Sequence, residues 1–127
     1  MSDTAETELA EKRIRLLLGL AKATKNGSIE WDSTSEEDTF VAEAGISSIQ
    51  IIDETLKAGS EPADYGKFHI SIFDNSGVIL DSFSSIVDSY YNSHLNNAVI
   101  VIRAAINGSL AKQTSKRLDA VLEAIGA

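Results

Sequence analysis

The hydrophobic pattern of the first 25 residues predicts an amphipathic helix. Between Thr7 and Lys25, apolar residues recur every three or four positions, which places them on one helix face. The positions are Ala10, Ile14, Leu17, Leu18 and Ala21. Two further leucines widen this stripe, so we expect the helix to be covered on more than one side. Asn26 and Gly27 both tolerate the left-handed conformation and predict the end of the helix.

Alternating apolar and polar residues then predict three short strands. The segments are "SIEWDS", "TFVAEA" and "ISSIQII", and their inward residues are Ile29 and Trp31, Phe40 and Ala42, and Ile49 and Ile51. Short polar links between alternating segments are typical of an antiparallel meander. The stretch from Asp53 to Gly66 holds the single proline, Pro62, and is predicted to be a loop.

The segment "FHISIFDNSGVILDSF", residues 68–83, predicts a hairpin. Asp74 suits the first position of a type I turn, and Gly77 can take the positive φ that closes a three-residue hairpin loop. Regular pairing beyond this turn puts Ile72 opposite Leu80. The face predicted to lie in the core carries Phe68, Ile70, Ile72, Val78 and Leu80.

The reverse face of this hairpin is unusually apolar for a solvated surface. It is predicted to carry His69, Ser71, Phe73, Ile79, Asp81 and Phe83. Two explanations are open: a terminal helix or the loop covers this face, or it binds a partner. Cover from within the chain is the commoner arrangement in layered domains. Because Tyr90 and Tyr91 follow closely, the candidate partner surface comprises Phe73, Ile79, Phe83, Tyr90 and Tyr91.

The last third of the chain predicts two helices separated at Asn107-Gly108. The first has apolar positions Leu95, Ala98, Val99, Ile102, Ala105 and Ile106, and the second has Leu110, Leu118, Val121, Leu122 and Ile125. We therefore expect one α+β domain over residues 1–127. Its parts are an N-terminal helix, about five antiparallel strands, and two C-terminal helices packed on the sheet.

The amino-acid composition and net charge of the chain argue against several classes of function. A chain of 127 residues suits one domain, and the absence of cysteine excludes a disulfide framework, a thiolate zinc site and a cysteine nucleophile. The net charge of −8 opposes nucleic-acid binding. The polar, acidic start lacks the pattern of a signal peptide, and the apolar runs are too short to span a membrane. We expect a cytoplasmic protein with neither nucleic-acid nor membrane partners.

The sequence contains few candidates for catalytic residues. The two histidines, His69 and His94, lie in no nucleophile-elbow pattern, and the glycines form no phosphate-binding loop. "DNSGVILD" lacks the alternating ligands of a calcium loop, so no metal or cofactor is expected. The favoured function is a non-enzymatic protein-interaction or regulatory module, with a protein partner or, slightly favoured, a homodimer. The alternative is a small hydrolase or transferase using His69 or His94 with a nearby carboxylate.

Four segments in order carry a family resemblance: "ATKNGSIEWDST", "DTFVAEAG", "FHISIFDNSGVI" and "VIRAAINGSLAKQTSKRLDAVLEAIG". Together they resemble a recurring type of small uncharacterised bacterial protein, a resemblance that implies a fold and no activity. In size, charge and element content the chain is also similar, more weakly, to type III secretion chaperones. That resemblance implies a dimeric binding protein. Those chaperones place a helix between the third and fourth strands, where this chain has the segment containing Pro62.

Overall fold

The computed structural model describes residues 2–36, 38–54, 66–87 and 94–127. The elements are helix α1 (Ser2–Lys25), strands β1 (Trp31–Ser33), β2 (Thr39–Ala44), β3 (Ser47–Asp53), β4 (Gly66–Phe73) and β5 (Ile79–Val87), and helix α2 (His94–Ile125). The strands form one antiparallel sheet in the order β1-β2-β3-β4-β5. The predicted α+β class, the five-stranded antiparallel meander and the helices at both ends are thus confirmed.

One face of the sheet packs against both helices to form the core. The buried side chains from the strands are Trp31, Phe40, Ala42, Ile49, Ile51, Phe68, Ile70, Ile72 and Phe83. The helices contribute Leu17, Leu20, Ala21, Ala98, Val99, Ile102, Ala105 and Ile106. The inward residues predicted for the first three strands, apart from the half-buried Ile29, all lie in this core, because alternation places every second side chain on the helix side.

Both helices cross the sheet in the same direction, from β5 to β1. Near its middle, α1 contacts β5 through Arg13 and Asp81, and in its last turn it contacts β1 through Thr24 and Trp31. Helix α2 contacts β5 at its start, where Ser85 donates to Asn96, and contacts Trp31 further along. Because α2 runs on past this contact, its C-terminal part lies beyond the β1 edge of the sheet.

The hairpin turn has the predicted form. The Gly77 amide donates to the Asp74 carbonyl at 3.1 Å, the Asp74 amide donates to the Val78 carbonyl at 2.9 Å, and Gly77 has φ +84°. The Asp74 carboxylate accepts from the amides of Ser76 and Val78 at 2.8 and 2.9 Å. This is a type I turn closed by a left-handed glycine.

Replacing Gly77 with valine should lower the free energy of unfolding by about 1 kcal/mol or more. A β-branched residue resists φ +84°, although a Cβ at this position would meet no atom within 4 Å. Urea unfolding followed by circular dichroism measures the loss. An unchanged midpoint would contradict the bulged-turn assignment.

A β-bulge follows this turn, and it changes which residues of β5 face the core. Phe73 pairs with Ile79, but Ile72 pairs with Asp81, so Leu80 is an extra, bulged residue. A one-residue shift exchanges the two faces of every residue that follows. Phe83 therefore lies in the core at 8% exposure, and the bulged Leu80 is 60% exposed. Val78, which precedes the bulge and follows the turn, is 59% exposed. The predictions for Phe83, Val78 and Leu80 were wrong, while those for Phe68, Ile70 and Ile72 on β4 are confirmed.

The bulge brings Asp81 beneath α1, where it pairs with Arg13. The guanidinium donates to both carboxylate oxygens, Nε at 2.9 Å and Nη2 at 2.7 Å, and lies 4.8 Å above the Phe83 ring centroid. These hydrogen bonds lower the pKa of Asp81 and raise the pKa of Arg13. Without the bulge, Asp81 would point to the other face and Arg13 would lack its bidentate partner.

The pH dependence of the unfolding free energy should show the contribution of the Arg13–Asp81 ion pair. Because folding lowers the pKa of Asp81, its contribution is present above the unfolded value of about 4 and is lost as pH falls through the folded pKa. The gap in unfolding free energy between wild type and Asp81→Asn should therefore be larger at pH 7 than at about pH 2.5. Urea titrations at both pH values measure it. Arg13→Gln should show the same convergence, and a gap that is equal at both pH values would contradict the role of the pair.

Helix α2 is one helix that continues through Asn107 and Gly108. The prediction of two C-terminal helices packed on the sheet was therefore wrong. A glycine inside a helix costs about 1 kcal/mol relative to alanine. Core packing of Ile106 before this point and partial packing of Leu110 after it offset that cost. Beyond Gln113 every residue of the chain is exposed, so only the first part of α2 packs on the sheet. In the part of the chain that the structure describes, neither helix is long and apolar enough to span a membrane.

Candidate functional site

The face of the sheet opposite the helices carries a chain of polar side chains around His69. Its Nδ1 lies 2.9 Å from the Ser84 hydroxyl and its Nε2 lies 2.8 Å from the Ser82 hydroxyl, which in turn lies 3.3 Å from that of Ser71. Neutral imidazole has one donor and one acceptor nitrogen, and each hydroxyl can take the complementary role. The two hydrogen-bond partners of His69 are thus serines of the neighbouring strand β5.

This cluster differs from a serine–histidine–carboxylate triad. In a serine–histidine system, a carboxylate orients the imidazole through the nitrogen opposite the nucleophile. Here Ser84 occupies that place on His69. The second histidine, His94, is exposed at the start of α2, far along the chain from β4. Among the described residues, no group of three or more histidine and carboxylate side chains is arranged to hold a metal ion.

The described residues of the predicted partner surface do not form one patch. Phe73 is partly buried and Ile79 is 57% exposed, and the two are paired on the face opposite the helices. Phe83 lies in the core instead, and Tyr90 and Tyr91 lie outside the described residues. Both helices pack on the other face, so neither covers Phe73 and Ile79. Of the two covers predicted from within the chain, the terminal helix is therefore not provided by α1 or α2. The other, the loop between Asp53 and Gly66, lies at residues 55–65 outside the described residues.

The β1 edge of the sheet is closed by α2. The Trp31 amide donates to the Ser109 hydroxyl at 3.2 Å, and the Gln113 side-chain amide donates to the Trp31 carbonyl. An edge strand with free main-chain groups would pair readily with another strand. Since the main-chain amide and carbonyl of Trp31 already have partners, this edge is poorly suited to strand addition at Trp31, the first residue of β1.

A groove lies beside this edge, between the last turn of α1, the link to β1, and α2. It encloses about 500 Å³. Its lining residues are Thr24, Lys25, Gly27, Ile29, Glu30, Ala104, Ala105, Gly108, Ser109, Lys112, Gln113 and Lys116. The small residues Ala104 and Gly108 form part of the wall, and three lysines against one glutamate make its rim basic in a chain of net charge −8.

The part of α2 beyond the groove, residues 114–125, is here called the projecting segment. It spans about 18 Å at the helical rise of 1.5 Å per residue. Four large aliphatic side chains are exposed on it: Leu118 at 55%, Val121 at 54%, Leu122 at 45% and Ile125 at 70%. The spacing of these residues places them on one side of the helix. The sequence pattern contained this stripe, but predicted that it packs on the sheet.

The surface at the C-terminal part of α2 combines an exposed aliphatic helix face with an adjoining groove of basic rim and small-residue wall. Comparisons with protein-family models, with curated proteins and with solved structures found no match to this chain.

Proposed function

We propose that this protein is a non-enzymatic protein-binding module whose binding element is the projecting segment of α2. The observation that carries the proposal is the exposure of Leu118, Val121, Leu122 and Ile125 on one helix face. Soluble chains seldom leave contiguous large aliphatic side chains in water unless a partner covers them. An amphipathic helix that lays its apolar face against another protein surface is a common mode of recognition.

The way in which α2 is held supports this role. Its first part is fixed to the core by Val99, Ile102 and Ile106, which are all at most 1% exposed. Ser109 and Gln113 then tie it to the backbone of Trp31 at the sheet edge. The projecting segment continues from a rigid base, so it loses little conformational freedom when it binds, and this favours affinity.

Photo-crosslinking in the cell that makes the protein tests this proposal. Benzoylphenylalanine at Leu122 should give an adduct of one defined mass. The same probe at Ala120 is the matched control, because two residues correspond to about 200° around the helix and Ala120 faces away from the stripe. An adduct from position 122 but not 120 would support the binding role. Absence of any adduct from probes at Leu118 and Leu122 would contradict it.

A further inference from the structure

The exposed face of α2 has a regular pattern that is longer than the projecting segment. Seven exposed residues without charge recur at alternating spacings of four and three: Ala104, Gly108, Ala111, Ser115, Leu118, Leu122 and Ile125. This set is here called the α2 stripe. A repeat of 3.5 residues over three heptads is the pattern by which helices pair in coiled coils. The α2 stripe spans about 30 Å of helix.

Side-chain size divides the α2 stripe into two halves. The first half has only small residues, Ala104, Gly108, Ala111 and Ser115, and the second has only large ones, Leu118, Leu122 and Ile125. A helix of this kind packs best against one that runs in the opposite direction, because large residues then face small ones and the two surfaces interlock. A second copy of the same helix in antiparallel orientation has this complementary shape.

From these observations, and resting on the proposed binding role of α2, we propose that the partner is a second copy of this chain, paired antiparallel through the α2 stripe. A two-fold axis near residues 116 and 117 pairs the six positions of the α2 stripe from Gly108 to Ile125. Leu118, Leu122 and Ile125 of one copy then face Ser115, Ala111 and Gly108 of the other. Such an interface is isologous, so each copy gives and receives the same contacts.

Charge favours the same arrangement. The groove beside Gly108 has Lys25, Lys112 and Lys116 on its rim, and the segment that enters it from the other copy carries Asp119 and Glu123. In this register Lys112 flanks the α2 stripe next to Asp119 of the second copy, twice per dimer. The net charge of −8 opposes approach of identical chains, but salt at physiological concentration limits that repulsion to about 8 Å.

The groove also receives a side chain in this register. Ile125 of the second copy lies over Gly108, where a Cβ would meet no atom of the same chain within 4 Å. The space beside this glycine is thus open in one chain and filled in the pair. In a single chain, a Cβ at position 108 is therefore accommodated, and replacing this glycine removes its cost to the helix.

Sedimentation equilibrium of the purified full chain tests the pairing. Wild type should approach twice 13.6 kDa at micromolar concentrations. Gly108→Leu should keep or raise the melting temperature yet weaken the dimer by roughly tenfold or more, because leucine occupies the space that Ile125 of the second copy needs. Leu122→Glu should weaken it similarly, while Ala120→Glu, on the opposite helix face, should leave it unchanged.

Charge reversal tests the orientation. Lys112→Glu and Asp119→Lys should each weaken the dimer, and the double variant should restore it. These positions are seven residues apart on one helix, too far to contact each other within a chain. A mass near 13.6 kDa at every concentration would overturn the homodimer. A Leu122 photo-adduct with a different protein would overturn the homodimer while the binding role stands, and absence of any adduct would overturn both.

Discussion

Trp31→Ala is expected to lower the free energy of unfolding by about 3–5 kcal/mol, the range for truncating a fully buried aromatic residue. Trp31 is 0% exposed and is the largest of the fully buried side chains. Its indole N–H donates to the Thr24 hydroxyl at 2.9 Å, and that hydroxyl donates to the Leu20 carbonyl at 2.7 Å. Its main chain binds Ser109 and Gln113 of α2, so this residue connects both helices to the sheet edge.

Trp31→Phe is the matched control, since it keeps an aromatic ring and removes the indole N–H. We expect a loss of about 1–3 kcal/mol, because the buried Thr24 hydroxyl loses a partner. Urea unfolding should be followed by circular dichroism, since Trp31 is the only tryptophan and both variants lose its fluorescence. A loss below about 1 kcal/mol for Trp31→Ala would contradict the central position of this residue.

Ile72→Ala should cost about 2–5 kcal/mol, while Leu80→Ala should cost less than about 0.5 kcal/mol. Regular hairpin pairing would place these two residues opposite each other in the core, and both would then be sensitive. The bulge instead leaves Ile72 at 9% exposure and Leu80 at 60%. Urea unfolding of the two single variants measures the difference directly.

The same pair of variants distinguishes the two possible registers of β5. Similar large losses for Ile72→Ala and Leu80→Ala would mean that Leu80 is inward and that no bulge exists. Phe83→Ala gives an independent check. It should cost about 3–5 kcal/mol if the bulge places Phe83 in the core, and much less if regular pairing places it on the opposite face.

Sequence periodicity predicted most of the secondary structure. The end of α1 at Lys25, the β2 segment "TFVAEA" and the turn at Asp74 and Gly77 agree with the structure. These features depend on local chemistry: alternation within a strand, and glycine or asparagine where the backbone is left-handed. Each could be predicted because its cause lies within a few residues of its position.

The bulge at Leu80 could not be predicted in this way, because the local alternation fits either register. The turn residues fix the pairing only as far as Phe73 and Ile79. What favours the shifted register lies 68 residues away, where Arg13 meets Asp81, together with burial of Phe83. A long-range ion pair of this kind has no signal in the hairpin sequence.

The continuity of α2 was missed for a related reason. Asn107-Gly108 is a frequent helix end, and the sequence alone does not show that Ser109 and Gln113 bind the edge of β1. The continuity of α2 also determines where the candidate binding residues lie. When the helix continues, the apolar stripe of residues 118–125 is carried away from the sheet into solvent. A pattern that predicted core packing is thereby exposed, and this exposure is the basis of the proposed binding role.

A cysteine crosslinking scan along α2 tests the proposed pairing most directly, because the chain has no cysteine of its own. Single cysteines at Ser115, Ala111 and Leu122 would be treated with a short thiol crosslinker. In the antiparallel register, the two copies of position 115 lie about 5 Å apart along the axis, whereas those of 111 or 122 lie about 16 Å apart. We expect a crosslinked dimer from position 115 alone. Equal crosslinking at all three positions, or none at position 115, would contradict it.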